Sequence, residues 1–167
     1  MISKISGTIY AKHIDHIEVE VGNGITLLVY MPPSNINNIN EKDTLENIYT
    51  SLQLRQDSIM IFGFLELQDR LTFEKLITIS GVGPRLAIAI LSTMNSSEIF
   101  QAIESENSHL MTQVPGVGKR TADRMILELK GDWVLGGFQA EAVISALKVD
   151  PALGVFWRKV DIWGKPF

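Results

Sequence analysis

Apolar and polar residues nearly alternate along Ile14-Asp15-His16-Ile17-Glu18-Val19-Glu20-Val21, the pattern of a strand with one buried face. Gly22-Asn23-Gly24 then offers residues tolerant of positive φ, and Ile25-Thr26-Leu27-Leu28-Val29-Tyr30 resumes the apolar run, so the stretch predicts a β-hairpin. Ile2–Ala11 reads as a strand before it, with Gly7 at a bulge or sharp bend. Pro32-Pro33 breaks pairing, and the Asn-rich Ser34–Asp43 reads as a loop. Ile48–Leu54 and Ser58–Phe64, on either side of Arg55-Gln56-Asp57, are two further strands.

At Leu65 the period changes. Phe73, Leu76 and Ile77 have helical spacing, and Asn95-Ser96-Ser97-Glu98 reads as a capping box before Ile99, Phe100 and Ile103. From Leu65 to Lys130 the pattern predicts helices and short hairpins only. Beyond Gly131 the composition shifts again. Gly136 and Gly137 loosen the chain, Ala140–Lys148 looks helical, and all three tryptophans, Trp133, Trp157 and Trp163, lie here. The expected fold class is therefore α+β in several modules. An N-terminal barrel of the OB type, built from five short strands, occupies residues 1–64. An all-α tandem helix–hairpin–helix domain occupies 65–131, and a linker with a short C-terminal helical remnant occupies 132–167.

The most informative feature is an internal repeat. Gly81-Val82-Gly83-Pro84-Arg85-Leu86-Ala87 matches Gly116-Val117-Gly118-Lys119-Arg120-Thr121-Ala122 at an offset of 35 residues. The match continues as Ala87, Ile90, Leu91 and Met94 against Ala122, Met125, Ile126 and Leu129, each set marking one helix face. Two glycines let the backbone turn tightly and let a phosphate approach without a Cβ in the way. Val82 and Val117 would anchor the turns in the core. The second helix then presents free N–H groups and its positive dipole end, which together form an anion site. Arg85, or Lys119 and Arg120, adds side-chain charge at the same end. Such a site grips phosphate and reads no base. A single Gly-Val-Gly would equally suit a plain packing turn; two copies, each with a cation in the first helical turn, favour the anion site. Neither a dinucleotide-binding nor a Walker fingerprint is present.

These residues carry a resemblance. Ile79–Ser92 and Val114–Arg124 closely resemble the two helix–hairpin–helix motifs of the RuvA family, which binds Holliday junctions. The barrel pattern from Met1 to Phe64 is similar to the same family, so the resemblance covers about residues 1–131. It implies a homotetramer or octamer that holds four-way junction DNA open and flat in homologous recombination and DNA repair, including the SOS response. It implies phosphate-binding turns at Gly81, Val82, Gly83, Gly116, Val117 and Gly118, with Arg85, Lys119 and Arg120 beside them. It implies a partner RuvB-type hexameric ATPase that uses ATP and pumps the DNA, contacts between the family's third domain and that motor, and a RuvC-type resolvase as a further partner. The subunit itself performs no covalent chemistry and needs no cofactor of its own.

Two stretches depart from the family pattern. The turn between the last two barrel strands carries paired acids in the family, an acidic pin that repels phosphates at the junction centre. Here Gln56 replaces one, leaving Asp57, which would otherwise serve as a β-turn cap. Weaker strand separation with intact junction binding is expected. In the tail, Phe138–Lys148 looks like the first helix of the family's third domain, while Val149–Phe167 resembles none of the rest. That tail is expected to be truncated or divergent, through a frame change or by descent, and motor binding is the inherited property it bears on.

Composition narrows the chemistry. The absence of cysteine excludes disulfides, thiolate nucleophiles and Cys-ligated metals. His13 and His16 fall in the first hairpin and His109 in a helical segment, none in a nucleophile or metal-ligand motif, so no catalytic or metal site is expected and surface roles are assigned to all three. Glu98, Glu104 and Glu128 read as caps and solvated helix faces. No apolar stretch is long enough to span a bilayer and the N-terminus lacks a signal-peptide core, so a cytoplasmic location without membrane contact is expected. A helix–hairpin–helix glycosylase or nuclease is an alternative, though the chain begins with a barrel and has one helical module. A single-strand binder using the barrel face is another; it would need Tyr10, Tyr30 and Tyr49 as stacking platforms, and these are expected to pack instead. The net charge of −4 disfavours wholesale polyanion coating. From Gly81 to Gly131 five cations face five acids, so any grip on DNA must come from placement.

Overall fold

The computed structural model describes residues 2–22, 24–54 and 58–132. Arg55-Gln56-Asp57 and the tail from Trp133 onward, with the acidic pin and the third-domain helix expected there, lie outside the described residues.

Five strands close into a barrel: β1 (Lys4–Lys12), β2 (His16–Glu20), β3 (Thr26–Tyr30), β4 (Thr44–Leu54) and β5 (Ile59–Phe64). Their order is β1-β2-β3-β5-β4, with β4 returning to pair with β1, which leaves no free edge. All pairs are antiparallel except β3–β5. This is the expected OB topology. Alternation sets the interior: Ile17 and Val19 of β2 are fully buried, packing with Ile5, Ile9, Val29, Met31, Ile48 and Ile61. Gly7 sits at a register shift in the β1–β4 pairing, and a Cβ there would lie 2.3 Å from the Glu20 carbonyl oxygen. The glycine is what lets β1 cross β2 so closely.

One segment differs from the sequence-based expectation. The Asn-rich stretch, which reads as a loop in the sequence, begins with a short helix, α1 (Pro33–Asn37). Pro33 supplies the helical φ at its first position. Ile36 and Ile39 are buried at 3% and 1% exposure, joining the barrel core, so packing rather than propensity forms this single turn. β4 also starts earlier than expected, at Thr44.

β5 is apolar on consecutive residues because both its faces are covered. Ile61 and Gly63 face the barrel interior, where a Cβ on Gly63 would lie 2.5 Å from Val29 Cγ1. Phe62 and Phe64 point outward and meet Phe73 of α2 (Leu67–Leu76), at ring separations of 4.9 and 5.1 Å. This trio joins the barrel to the helical part. The aromatic row continues along the barrel's outer face from Phe62 to Tyr30, His16 and His13.

The remaining helices are α3 (Pro84–Thr93), α4 (Ser96–Glu104), α5 (Ser108–Thr112) and α6 (Lys119–Asp132). The expected capping box opens α4: Asn95 Oδ1 accepts from the Glu98 N–H at 2.9 Å, and Glu98 Oε2 accepts from the Asn95 N–H at 2.8 Å. Ser96 also donates to Asp69 of α2 at 2.5 Å, tying α4 to the helix that packs on the barrel. Residues Met1–Lys130 form one compact unit. Among the described residues no single helix is long and apolar enough to cross a membrane.

Candidate nucleic-acid interface

The repeat is a repeat of backbone geometry. Gly81 has φ +91° and Gly116 has φ +92°. Val82 N–H donates to the Ile79 carbonyl and Val117 N–H to the Val114 carbonyl, both at 3.0 Å. The preceding bonds, Ile79 to Leu76 and Val114 to Met111, are both 3.2 Å. The first helical bonds after each turn run from Ala87 to Gly83 and from Ala122 to Gly118, at 3.0 and 2.9 Å. Every equivalence holds at the 35-residue offset seen in the sequence.

Each turn is pinned by its central valine, with Val82 3% and Val117 5% exposed. Behind the turns, the helix faces read from the sequence are inside: Ala87, Ile90 and Leu91 of α3, and Ala122, Met125, Ile126 and Leu129 of α6. Met94 is half-buried at the end of α3. Each repeat therefore hides its apolar stripe and turns its hairpin outward. Gly81, Gly83, Gly116 and Gly118 are all exposed.

The four glycines divide into two kinds. Gly81 and Gly116 need their left-handed φ. Gly83 has the ordinary φ of −86°, and a Cβ built on Gly83 or Gly118 would meet no atom of the protein within 4 Å. No packing contact calls for glycine at those two positions, and the backbone there is open to the outside; as the N-cap of α3, Gly83 is also better suited than alanine.

Gly83 caps α3 without a side-chain hydrogen bond to the first turn, so the N–H groups of Arg85 and Leu86 stay free of a side-chain cap. Arg85, Lys119 and Arg120 are exposed, and none forms an ion pair with another described residue. Asp15 of the barrel senses this region. Its carboxyl is held below the ordinary carboxylate range, first by a 2.7 Å hydrogen bond to His16 and, among lesser causes, by the charge of Arg85.

The two hairpins also hold each other. Arg124 of α6 reaches back to the first hairpin, where its Nη1 donates to the Ser80 carbonyl at 2.8 Å. Leu86 of α3 reaches the second, its Cδ1 lying 3.2 Å from where a Cβ on Gly116 would stand. In the sequence Arg124 counts only as a charge. Its signal was available there: the equivalent position in the first repeat is Ala89, so Arg124 breaks the repeat's own pattern.

Tyr10 is 67% exposed rather than packed; it sits at the irregularity in the β1–β2 pairing between Ile9 and Ala11. Tyr30 packs between His16 and Phe62, and Tyr49 is half-buried. No pair of exposed tyrosines forms a stacking platform among these three. His109 lies exposed on α5. His13 and His16 are drawn together with Glu18 on the outer face of the barrel, a grouping that linear spacing did not signal.

Comparison with known proteins agrees with both halves. Residues 1–63 match the family model of the RuvA N terminal domain, and residues 73–132 match that of the SAM-like Helix-hairpin-helix tandem. The Holliday junction branch migration complex subunit RuvA of Chloroflexus aurantiacus is 40% identical over 131 residues, which is 78% of this chain and 67% of that relative. The subunits of the same name from Burkholderia mallei and Burkholderia thailandensis are 40% identical over the same coverage.

Proposed function

The chain belongs to the RuvA family of Holliday junction branch migration subunits, and from that membership we propose that it grips four-way DNA junctions through its paired hairpins and serves an ATP-driven motor. The observation that carries the reading is the duplicated turn: two exposed Gly-Val-Gly hairpins of equal φ and equal hydrogen bonding, each leading into a helix start.

Phosphate oxygens accept from the backbone N–H groups at the starts of α3 and α6, where the helix dipole adds positive potential. Gly83 and Gly118 allow the strand to come within hydrogen-bond reach. Arg85, Lys119 and Arg120 supply the mobile charge. Contacts of this kind position the backbone of a duplex arm without reading its bases, so recognition is of shape rather than sequence. Two hairpins per subunit engage one arm at two phosphate clusters, and four subunits in a ring would meet the four arms. The residues between Gly81 and Gly131 carry no net charge, so the attraction is local and affinity depends steeply on salt.

No step in this role makes or breaks a covalent bond. The subunit acts as a non-catalytic scaffold, and ATP is consumed by a RuvB-type partner. In the family the third domain contacts that motor; in this chain only Phe138–Lys148 resembles that domain, so motor contacts rest on that stretch. A gel-shift titration tests the reading. The chain should retard a synthetic four-way junction at concentrations at least about tenfold below those needed for linear duplex of equal length, a gap of about 1.4 kcal/mol. Equal affinity for both would overturn it.

A further inference from the structure

His13 follows the last residue of β1 and His16 opens β2. The His13 N–H donates to the His16 carbonyl at 2.9 Å, closing the turn so that the two side chains face one another. Along β2 alternation buries Ile17 and Val19 and puts His16 and Glu18 together on the outer face. The register sets Ala11, a small residue, opposite Glu18. The outcome is a stacked pair of imidazoles, 4.2 Å between centroids and 13° between planes. One ligand atom from each of His13, His16 and Glu18 lies within 4.8 Å of the other two.

The hydrogen bonds prepare these groups. An ionised carboxylate can only accept, so Asp15 Oδ1, 2.7 Å from His16 Nδ1, keeps the proton on that nitrogen and leaves the lone pair on Nε2. A carboxylate behind the imidazole is the usual support for a metal-binding histidine. The ring's other neighbour is Tyr30 at 5.7 Å, itself packed on Phe62, which limits how far His16 can turn. Glu18 Oε1 stands 3.1 Å from His13 Nε2, close enough for both to bind one cation.

We propose that His13, His16 and Glu18 form a site for a divalent transition metal of the zinc or nickel type. Two imidazole nitrogens and one carboxylate oxygen are the donors that such ions take and that magnesium and calcium do not favour. Metal bonds of about 2.1 Å at tetrahedral angles need donors about 3.4 Å apart. The His13 side chain is 43% exposed, so its rotation can draw the set together, and a fourth position stays open to water. Bound metal would tie the end of β1 to the start of β2.

The experiment is calorimetric titration of the untagged full chain with Zn²⁺, Ni²⁺ and Mg²⁺. One saturable equivalent is expected for Zn²⁺ and Ni²⁺ and none for Mg²⁺. His13→Ala and His16→Ala should each weaken Zn²⁺ binding at least about tenfold, whereas His109→Ala, removing the remaining histidine, should leave it unchanged. Zn²⁺ should also raise the melting temperature of the native chain and not that of the double variant H13A/H16A, whose metal-free melt reports that it folds. Absence of saturable Zn²⁺ uptake by the native chain, or uptake undiminished in the double variant, would overturn the proposal.

Discussion

The guanidinium of Arg124, in the helix of the second repeat, donates a 2.8 Å hydrogen bond to the carbonyl of Ser80, the residue just before the first hairpin's Gly81. This side chain ties the two hairpin turns together, beside the contact of Leu86 with the second turn. If the turns grip one duplex arm as proposed, their spacing has to match that of its phosphates. Arg124→Ala should weaken junction binding about fivefold to tenfold, the equivalent of about 1–1.4 kcal/mol for a hydrogen bond from a charged donor on a half-exposed site. Arg124→Lys keeps the charge without the fork and should recover only part of the loss. Binding titrations of the two variants check this; full affinity in Arg124→Ala would show that the hairpins hold their spacing without it.

The glycines of each hairpin should separate into folding and binding roles. Gly81→Ala and Gly116→Ala force a side chain into φ near +90° and should each cost about 1–2 kcal/mol of stability. Gly83→Ala and Gly118→Ala meet no atom of the protein, so stability should fall by no more than about 1 kcal/mol, the cost of an alanine where Gly83 caps α3, while junction affinity falls by more. Denaturant melts beside gel shifts make the comparison. Unchanged affinity in the second pair would mean that no ligand comes close at those positions.

Salt dependence should count the cations. Replacing Lys119 or Arg120 by Ala is expected to lower the slope of log affinity against log salt by about 0.9 for each phosphate left without its cation. Replacing the exposed Lys42, far along the barrel sequence from either hairpin, should leave the slope alone.

Phe73 has no exposed surface and touches both Phe62 and Phe64, so it is an apolar link between barrel and helices. Phe73→Ala should cost about 3–5 kcal/mol and lower the melting temperature by roughly 10 °C. A Leu at the same place should restore a substantial part. A melt of Phe73→Ala close to that of the native chain would show that other contacts join the two parts.

Lys130, near the end of α6, pairs with Glu106 in the turn before α5. The hydrogen bond from Lys130, and then its charge, hold the Glu106 carboxyl below its ordinary value of 4.5, while the Lys130 ammonium is raised. A carboxyl depressed in the folded state contributes stability above its unfolded pKa and loses that contribution as pH falls through the folded one. The melting difference between native chain and Glu106→Gln should therefore be largest near neutral pH, vanish in acid, and shrink in high salt. Both groups lie on the surface, so the effect is small.

Much of the site was legible along the chain because it rests on local chemistry. A Gly-Val-Gly turn needs its glycine for φ and its valine for anchorage, and both requirements act within a few residues. The Asn95–Glu98 capping box and the Gly7 irregularity are local in the same sense. The turn of α1 was not legible, since one helical turn has no period to show and is held by Ile36 and Ile39 packing in the barrel. Nor was the double burial of β5, whose unbroken apolar run could equally belong to a helix segment.

By itself, then, the sequence determined five strands followed by a helical segment, the two hairpins, and the cations that follow them. The 35-residue repeat and the strand alternation are properties of neighbouring residues, and backbone sterics and burial act on neighbours directly. Only the tertiary structure decided what joins across distance: Arg124 to Ser80, Phe73 to Phe62 and Phe64, and His13 and His16 to Glu18. These contacts follow from strand register and helix packing. Register sets which outer-face side chains share a row, and packing sets which helix reaches which turn.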